Sequence, residues 1–369
     1  MLGSKCYKCD TILTRINSSC EHIILNACGG KLKSNKLLCK VCNSNFGDNF
    51  DKELAKDINP LSNLLKIKRD RGNPQKVNGL DTKDNTEYFL ESSGDIRLKK
   101  PLIKEIDFDS EDISKRKINI QAPNERILKQ ALKGLKRKYQ GLNIKKALEE
   151  FTINEKYFDR ELEVKISIGG LKTFKSITKS AINFYLLNGG NRNEIKHLFE
   201  YLDGEKEIGI VWFHYPDNEV YKPKKGEVVH IIKIVGKKTE KILYAYIELF
   251  STHCFIVKLS DNYSGKDLDL DYIFNIHSNE VKHKLTKLDL NRKELLNLLE
   301  NKDTNPHLKM QKKTTRVINI AHVNNLKNEI SQSVDNIFSK HNQKVLDDTI
   351  LQELREDFIR IIKPHIDHK

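Results

Sequence analysis

Two Cys-x-x-Cys pairs, Cys6/Cys9 and Cys39/Cys42, constrain what the first segment of this chain can become. The two thiolates of each pair can point at one ion, and two such knuckles complete a tetrahedral four-sulfur site, the arrangement of structural zinc. A redox pair or plainly buried cysteines compete as readings of one pair alone. Two pairs in one short basic segment favour zinc. With every position filled by protein the ion offers nothing to a substrate. Its work is to hold together a segment too short to build a large core. Cys20 and Cys28 lack such partners and are expected to be small packed residues.

Between the knuckles lies Glu21-His22, followed by the β-branched Ile23 and Ile24, and the pattern predicts a strand. Residues 36 to 39 read as its partner strand. After the second knuckle come Asn43 and a predicted helix with Phe46, Phe50 and Leu54 on one face. Asp48 and Asp51 on that helix are expected to be exposed, solubilising charges. The order strand, loop, strand, helix, bracketed by cysteine knuckles, resembles the HNH endonuclease family over about residues 6 to 54. The resemblance implies a ββα-metal fold for this segment. It further implies His22 as general base, Glu21 as the acidic ligand of a catalytic cation and Asn43 as the second ligand. The family's middle Asn usually stands five residues before the third zinc cysteine. Ser34 holds that place here, so Asn35, the next residue, is taken for its role of orienting the loop around the base.

The chemistry needs these residue types. Phosphodiester hydrolysis sets a water in line with the leaving oxygen and builds charge on the phosphate. A neutral imidazole with a pKa near 6.5 takes the water's proton at cellular pH. A hard divalent cation held by carboxylate and amide oxygens stabilises the phosphate, and Mg²⁺ suits an oxygen-rich Glu/Asn site.

The remainder is longer than one domain needs. The chain has 369 residues, of which 38% are hydrophobic and 31% charged, a composition that builds a packed core and excludes wholesale disorder. The reading is α+β: a nuclease domain over 1–62, a basic connector over 63–115, an accessory domain over 116–290 and a helical region over 291–369. The connector includes a hairpin of Tyr88 to Leu90 with Ile96 to Leu98. In the accessory domain, Leu162, Val164, Ile166 and Ile168 alternate as a strand does. A helix follows from Leu171 to Leu187. Four β-rich runs, Ile208–Tyr215, Glu227–Val235, Lys241–Phe250 and His253–Leu259, then predict an antiparallel sheet. His253 and Cys254 are expected to be packed.

The net charge of +14 favours a polyanionic partner. Three basic clusters are candidate phosphate contacts: Lys68, Arg69 and Arg71 in the connector; Lys172, Lys175 and Lys179 along the helix that opens after Gly169-Gly170; and Lys129, Lys133, Lys136, Arg137 and Lys138. A helix N-terminus beside glycines can also hold phosphate. Each stripe has the competing reading of an ordinary solvated face. No apolar run is long enough to span a bilayer and no signal peptide is visible, so a cytoplasmic protein with reduced or metal-bound thiols is expected. Together these features predict a metal-dependent endonuclease acting on DNA, with RNA left open. A nuclease head on a large accessory region is similar to restriction and anti-phage defence enzymes. Two rival readings stand beside it. One is a nuclease gated by a ligand or partner protein bound to the C-terminal region, which is also the expected contact of a homodimer. The other is a zinc-ribbon nucleic-acid-binding protein without catalysis.

Overall fold

The computed structural model describes residues 4–106, 117–153, 158, 160–204, 209–282, 286–301, 306–342 and 345–366. The chain folds into two compact units, and both are discontinuous in sequence. One unit joins Met1–Pro74 to Ile166–Glu329, and the other joins Gln75–Lys165 to Ile330–Lys369. The expected linear order of domains is corrected accordingly: the cysteine-bearing segment shares its unit with the antiparallel sheet. Among the described residues no helix is long and apolar enough to cross a membrane.

The first unit opens with a two-stranded ladder, β1 (Glu21–His22) and β2 (Lys33–Ser34), pairing Glu21 with Ser34 and His22 with Lys33. The partner strand therefore lies earlier than residues 36 to 39. Gly29 stands at φ +81°, and a Cβ on Gly30 would sit 2.0 Å from the Ile24 carbonyl oxygen. These two glycines turn the chain back early. Leu37 and Leu38 are buried as expected of strand residues, but the chain there is running into the second knuckle, where Ser18 bridges Cys39. Helix α1 (Lys40–Phe46) follows, then a π-helical turn over Gly47–Asp51, then α2 (Lys52–Asp57) and α3 (Asn59–Leu64). Phe46, Phe50, Leu54, Ile58 and Leu61 are each 4% exposed or less, a stripe stepping by three or four that docks these helices onto the core.

The helix predicted over residues 171 to 187 forms as α4 (Leu171–Leu187). The β-rich runs become an antiparallel sheet of β3 (Val211–Phe213), β4 (Val229–Lys237), β5 (Ile242–Leu249), β6 (His253–Ser260), β7 (Leu268–Asn275) and β8 (Glu280–Lys282), in the order β8-β7-β4-β5-β6-β3. Side chains alternate between the faces of a strand. Ile232, Ile234, Ala245, Ile247, Phe255 and Val257 join the core formed by α4 and the cysteine-bearing segment. Val229, Ile231, Tyr244, Tyr246, Cys254 and Ile256 join the opposite core with Leu295 and Leu299 of the helix Arg292–Glu300. Both faces are covered, which explains why β4 to β6 read as nearly continuous apolar runs. His253 and Cys254 are packed, at 1% and 0% exposed.

The second unit holds a four-stranded sheet in the order Ile96–Leu98, Glu87–Leu90, Val77–Asp81, Leu162–Glu163. Its first two strands are the expected hairpin. The alternation from Leu162 to Ile168 yields only the short edge strand Leu162–Glu163. Helix Glu125–Lys138 carries the basic stripe, and its N-cap Asn124 accepts from the Ile127 amide. Ser333 of the long helix Pro306–His341 donates to Asp357 of the helix Asp348–Ile366 at 2.7 Å.

Candidate active site and nucleic-acid interface

The four cysteines of the two knuckles converge. Their sulfurs all lie within 4.8 Å of one another, and Cys9 Sγ is 3.8 Å from Cys39 Sγ. A tetrahedron with metal–sulfur bonds of about 2.3 Å has edges of about 3.8 Å, so the donor set fits zinc in both softness and size. Local structure holds the cluster together: the Cys6 amide donates to the Thr11 carbonyl, and Cys39 caps α1 by accepting from the Cys42 amide. Cys28 is fully buried, as expected. Cys20 departs from the expectation, being exposed and lining the cleft described next.

Glu21, His22 and Asn43 all line one open cleft of about 260 Å³, with Asn26, Asp51, Lys52 and Lys179 among its other walls. Strand β1 brings Glu21 and His22 to it, and α1 brings Asn43 from directly behind Cys42. Asn43 is oriented by donating from Nδ2 to Ser19 Oγ at 2.7 Å. The His22 ring is 20% exposed, with Nε2 3.1 Å from Asp70 Oδ2. Burial lowers its pKa below the ordinary value, against the hydrogen bond to Asp70. At neutral pH it is therefore an uncharged imidazole, as a base requires.

Glu21 is 4% exposed. Its Oε1 accepts from Lys179 Nζ at 2.6 Å and from Asn183 Nδ2 at 3.0 Å. Among the described residues Oε2 carries no hydrogen bond, and it remains the available oxygen on the cleft wall. Lys179 also pairs with Asp51, whose other oxygen accepts from Ser176 at 2.6 Å. Burial works against the Lys179 charge, but Asp51 and Glu21 outweigh it and hold the ammonium above its ordinary pKa. The buried group is thus two carboxylates around one ammonium, supported by an amide and a hydroxyl from α4.

This arrangement corrects several expectations. Lys175 and Lys179 are 5% and 1% exposed, so α4 presents no lysine stripe to a phosphate backbone; Lys172 alone of the three is exposed. The N-terminus of α4 is likewise taken: Asp57 accepts from Thr173 Oγ1 at 2.6 Å and from the Gly169 amide. Asp51, expected at the surface, is 8% exposed, whereas Asp48 is exposed. Asn35 is exposed in the turn after β2 and does not line the cleft. Ser34, at the position the resemblance marked, faces Glu21 across the ladder. In the connector, Lys68 and Arg71 are exposed, while Arg69 is half-buried and donates to Asn59 Oδ1 at 3.3 Å. Lys129, Lys133, Lys136, Arg137 and Lys138 are exposed on their helix in the second unit, with Lys129 paired to Glu125 and Lys138 to Glu105.

Sequence reasoning missed Asp51, Asp70 and Asn183. For α4 a signal existed. Ser176, Lys179 and Asn183 step by three and four along a helix whose other positions are largely apolar, marking one polar stripe that meets charged groups once buried. Asp70 had none, being one acid among the cations of the connector.

The HNH endonuclease family matches residues 6–59 of the chain, spanning both knuckles, Glu21, His22 and Asn43. No curated protein and no solved structure matches the chain. The family match and the converged four-cysteine cluster thus agree on an HNH endonuclease family domain over residues 6–59 of this chain.

Proposed function

We propose that the chain is a metal-dependent endonuclease that hydrolyses phosphodiester bonds of DNA. The observation carrying this reading is that Glu21, His22 and Asn43, contributed by β1 and α1, line one open cleft beside the four-cysteine cluster. Zinc bound by Cys6, Cys9, Cys39 and Cys42 has a structural role. Glu21 through Oε2 and Asn43 through its amide oxygen are the residues to hold a hard divalent cation such as Mg²⁺. When bound, that cation supplies charge stabilisation to the phosphate and leaving group. His22 takes the proton of the attacking water, and Lys52, Lys31 and Lys33 provide positive charge for the backbone to meet. Lys68 and Arg71 extend that surface, and the stripe from Lys129 to Lys138 offers a second basic face. We place the protein in the cytoplasm, where thiols stay reduced for zinc. Restriction or anti-phage defence is the role this organisation suggests by analogy.

One observation favours a gated nuclease as a second reading. Lys179 and Asn183, which hold Glu21, belong to the helix that packs on the sheet. Ligand or partner binding to that layer then has a direct route to the acidic residue of the site. The test is incubation of purified, zinc-loaded protein with plasmid and Mg²⁺, with and without chelator. An ungated enzyme cuts; a gated one stays silent until its activator is added. A protein that binds DNA and never cuts contradicts the nuclease reading.

A further inference from the structure

The connector brings a carboxylate to His22 from outside the residues matched by the family. We propose that Asp70 is a positioning residue of the nuclease site: it accepts the Nε2–H of His22 and thereby fixes the tautomer in which Nδ1 keeps the lone pair that takes the water's proton. This inference rests on the reading of His22 as the base. An ionised carboxylate has no hydrogen to give, so the ring nitrogen facing it at 3.1 Å must be the one that carries the proton. A neutral imidazole has only one N–H, which leaves Nδ1 unprotonated. Nδ1 has no hydrogen-bond partner among the described residues, and His22 lines the cleft.

The loop around Asp70 is held at several points. Its amide donates to Asn26 Oδ1 at 2.9 Å, and Asn26 is itself a wall of the cleft. On either side, Lys31 Nζ donates to the Lys68 carbonyl at 3.3 Å and Arg69 to Asn59. Lys31 and Lys33 also donate to the Asp70 carboxylate, at Oδ1 and Oδ2 respectively. The carboxylate is thus fixed in place rather than left to wander on a surface loop, as a partner that orients a ring must be. In the reaction, the O–H bond of the water breaks and its proton forms an N–H bond at Nδ1. The water oxygen bonds to phosphorus, and the bond to the leaving oxygen breaks, that oxygen taking a proton from solvent. The imidazolium so formed lies against the Asp70 charge until Nδ1 returns its proton to solvent.

A bland alternative exists, in which Asp70 only neutralises Lys31 and Lys33. Long-range ¹H–¹⁵N correlation spectra of zinc-loaded, ¹⁵N-histidine-labelled protein separate the two. The His22 signals are those missing from His22→Gln. The wild type should show His22 protonated at Nε2. Asp70→Ala should give a mixture of tautomers, and Asp70→Glu should recover the Nε2–H form. Single-turnover cleavage by Asp70→Ala should fall by about 10–100-fold with little change in KM, and Asp70→Glu should regain part of it. Wild-type His22 protonated at Nδ1, a tautomer unchanged in Asp70→Ala, or unchanged cleavage beside a changed tautomer overturns the proposal. The tautomer is readable even in protein that does not cut. Failure of the base reading therefore shows separately, as undiminished cleavage by His22→Gln.

Discussion

Replacing Lys179 by Met keeps the length of the side chain and removes its charge. Lys179 is 1% exposed, with Glu21 at 4% and Asp51 at 8%, and its ammonium pairs with both carboxylates. The variant therefore leaves two buried carboxylates with no counter-charge, and breaking a buried pair by removing one partner costs about 3–5 kcal/mol. Unfolding in urea is readable through Trp212, the only tryptophan, whose ring stands 5.8 Å from Phe174 of α4. With a slope of about 2 kcal/mol per molar, the midpoint should fall by about 2 M. The triple variant Glu21→Gln, Asp51→Asn, Lys179→Met removes all three charges together. It should be clearly more stable than the single variant, because no unpaired charge remains buried. A single variant within about 0.5 kcal/mol of the wild type, or a triple variant no better than the single, would show that these charges are not packed together as described.

Three further outcomes follow from the same structure. Elemental analysis should find one zinc per chain, and Cys39→Ser should lose it. Because the cysteine-bearing segment shares its core with the sheet, that variant should also lower the Trp212 transition rather than unfold the first sixty residues alone. Between about pH 6.5 and pH 4 the first unit should lose stability. His230 and His253 are both fully buried, and burial lowers each to a pKa of about 4. Above the unfolded value of about 6.5 both states are neutral and stability is complete. Below it the unfolded chain takes up protons that the folded chain refuses, at up to about 3 kcal/mol per histidine. Neither ring nitrogen of His253 has a partner among the described residues, so His253→Phe should abolish about half of that loss in urea titrations across the pH range. Finally, duplex DNA affinity should fall with salt at a slope of about −0.9 per neutralised phosphate. Changing Lys68 and Arg71 to Gln should flatten that slope by up to about 2 units, while Lys175, being buried, contributes nothing to it.

Most of the architecture was legible because local pattern and tertiary role agree in these segments. The stripe of Phe46, Phe50 and Leu54 marked the helices after the second knuckle, and the β-rich runs from residue 227 to 259 became β4 to β6. The four-cysteine cluster followed from spacing alone. What failed was whatever depended on distant partners. Lys179 meets Glu21 and Asp51, which lie more than a hundred residues away, and its burial is intelligible only once those carboxylates stand beside it. A lysine on a helix otherwise reads as a surface residue. The early β2 hairpin depended on the tight contact between Gly30 and the Ile24 carbonyl, a steric fact with no periodic signature. The grouping of residues 1–74 with the sheet is likewise a matter of buried surfaces meeting; for example, His230 of β4 donates from Nε2 to the Cys28 carbonyl at 2.9 Å and accepts the Phe250 amide at Nδ1.

The central claim is that His22 acts as a base in a cleft whose cation is held by Glu21 and Asn43. It is tested most directly by single-turnover cleavage of duplex DNA with Mg²⁺, comparing the wild type with His22→Ala at matched zinc content and matched substrate binding. A positioned general base contributes about 10²–10⁴-fold, so the variant should bind DNA as the wild type does and cleave it slower by that factor. Equal rates for the two proteins would contradict the account and assign the chemistry to another residue.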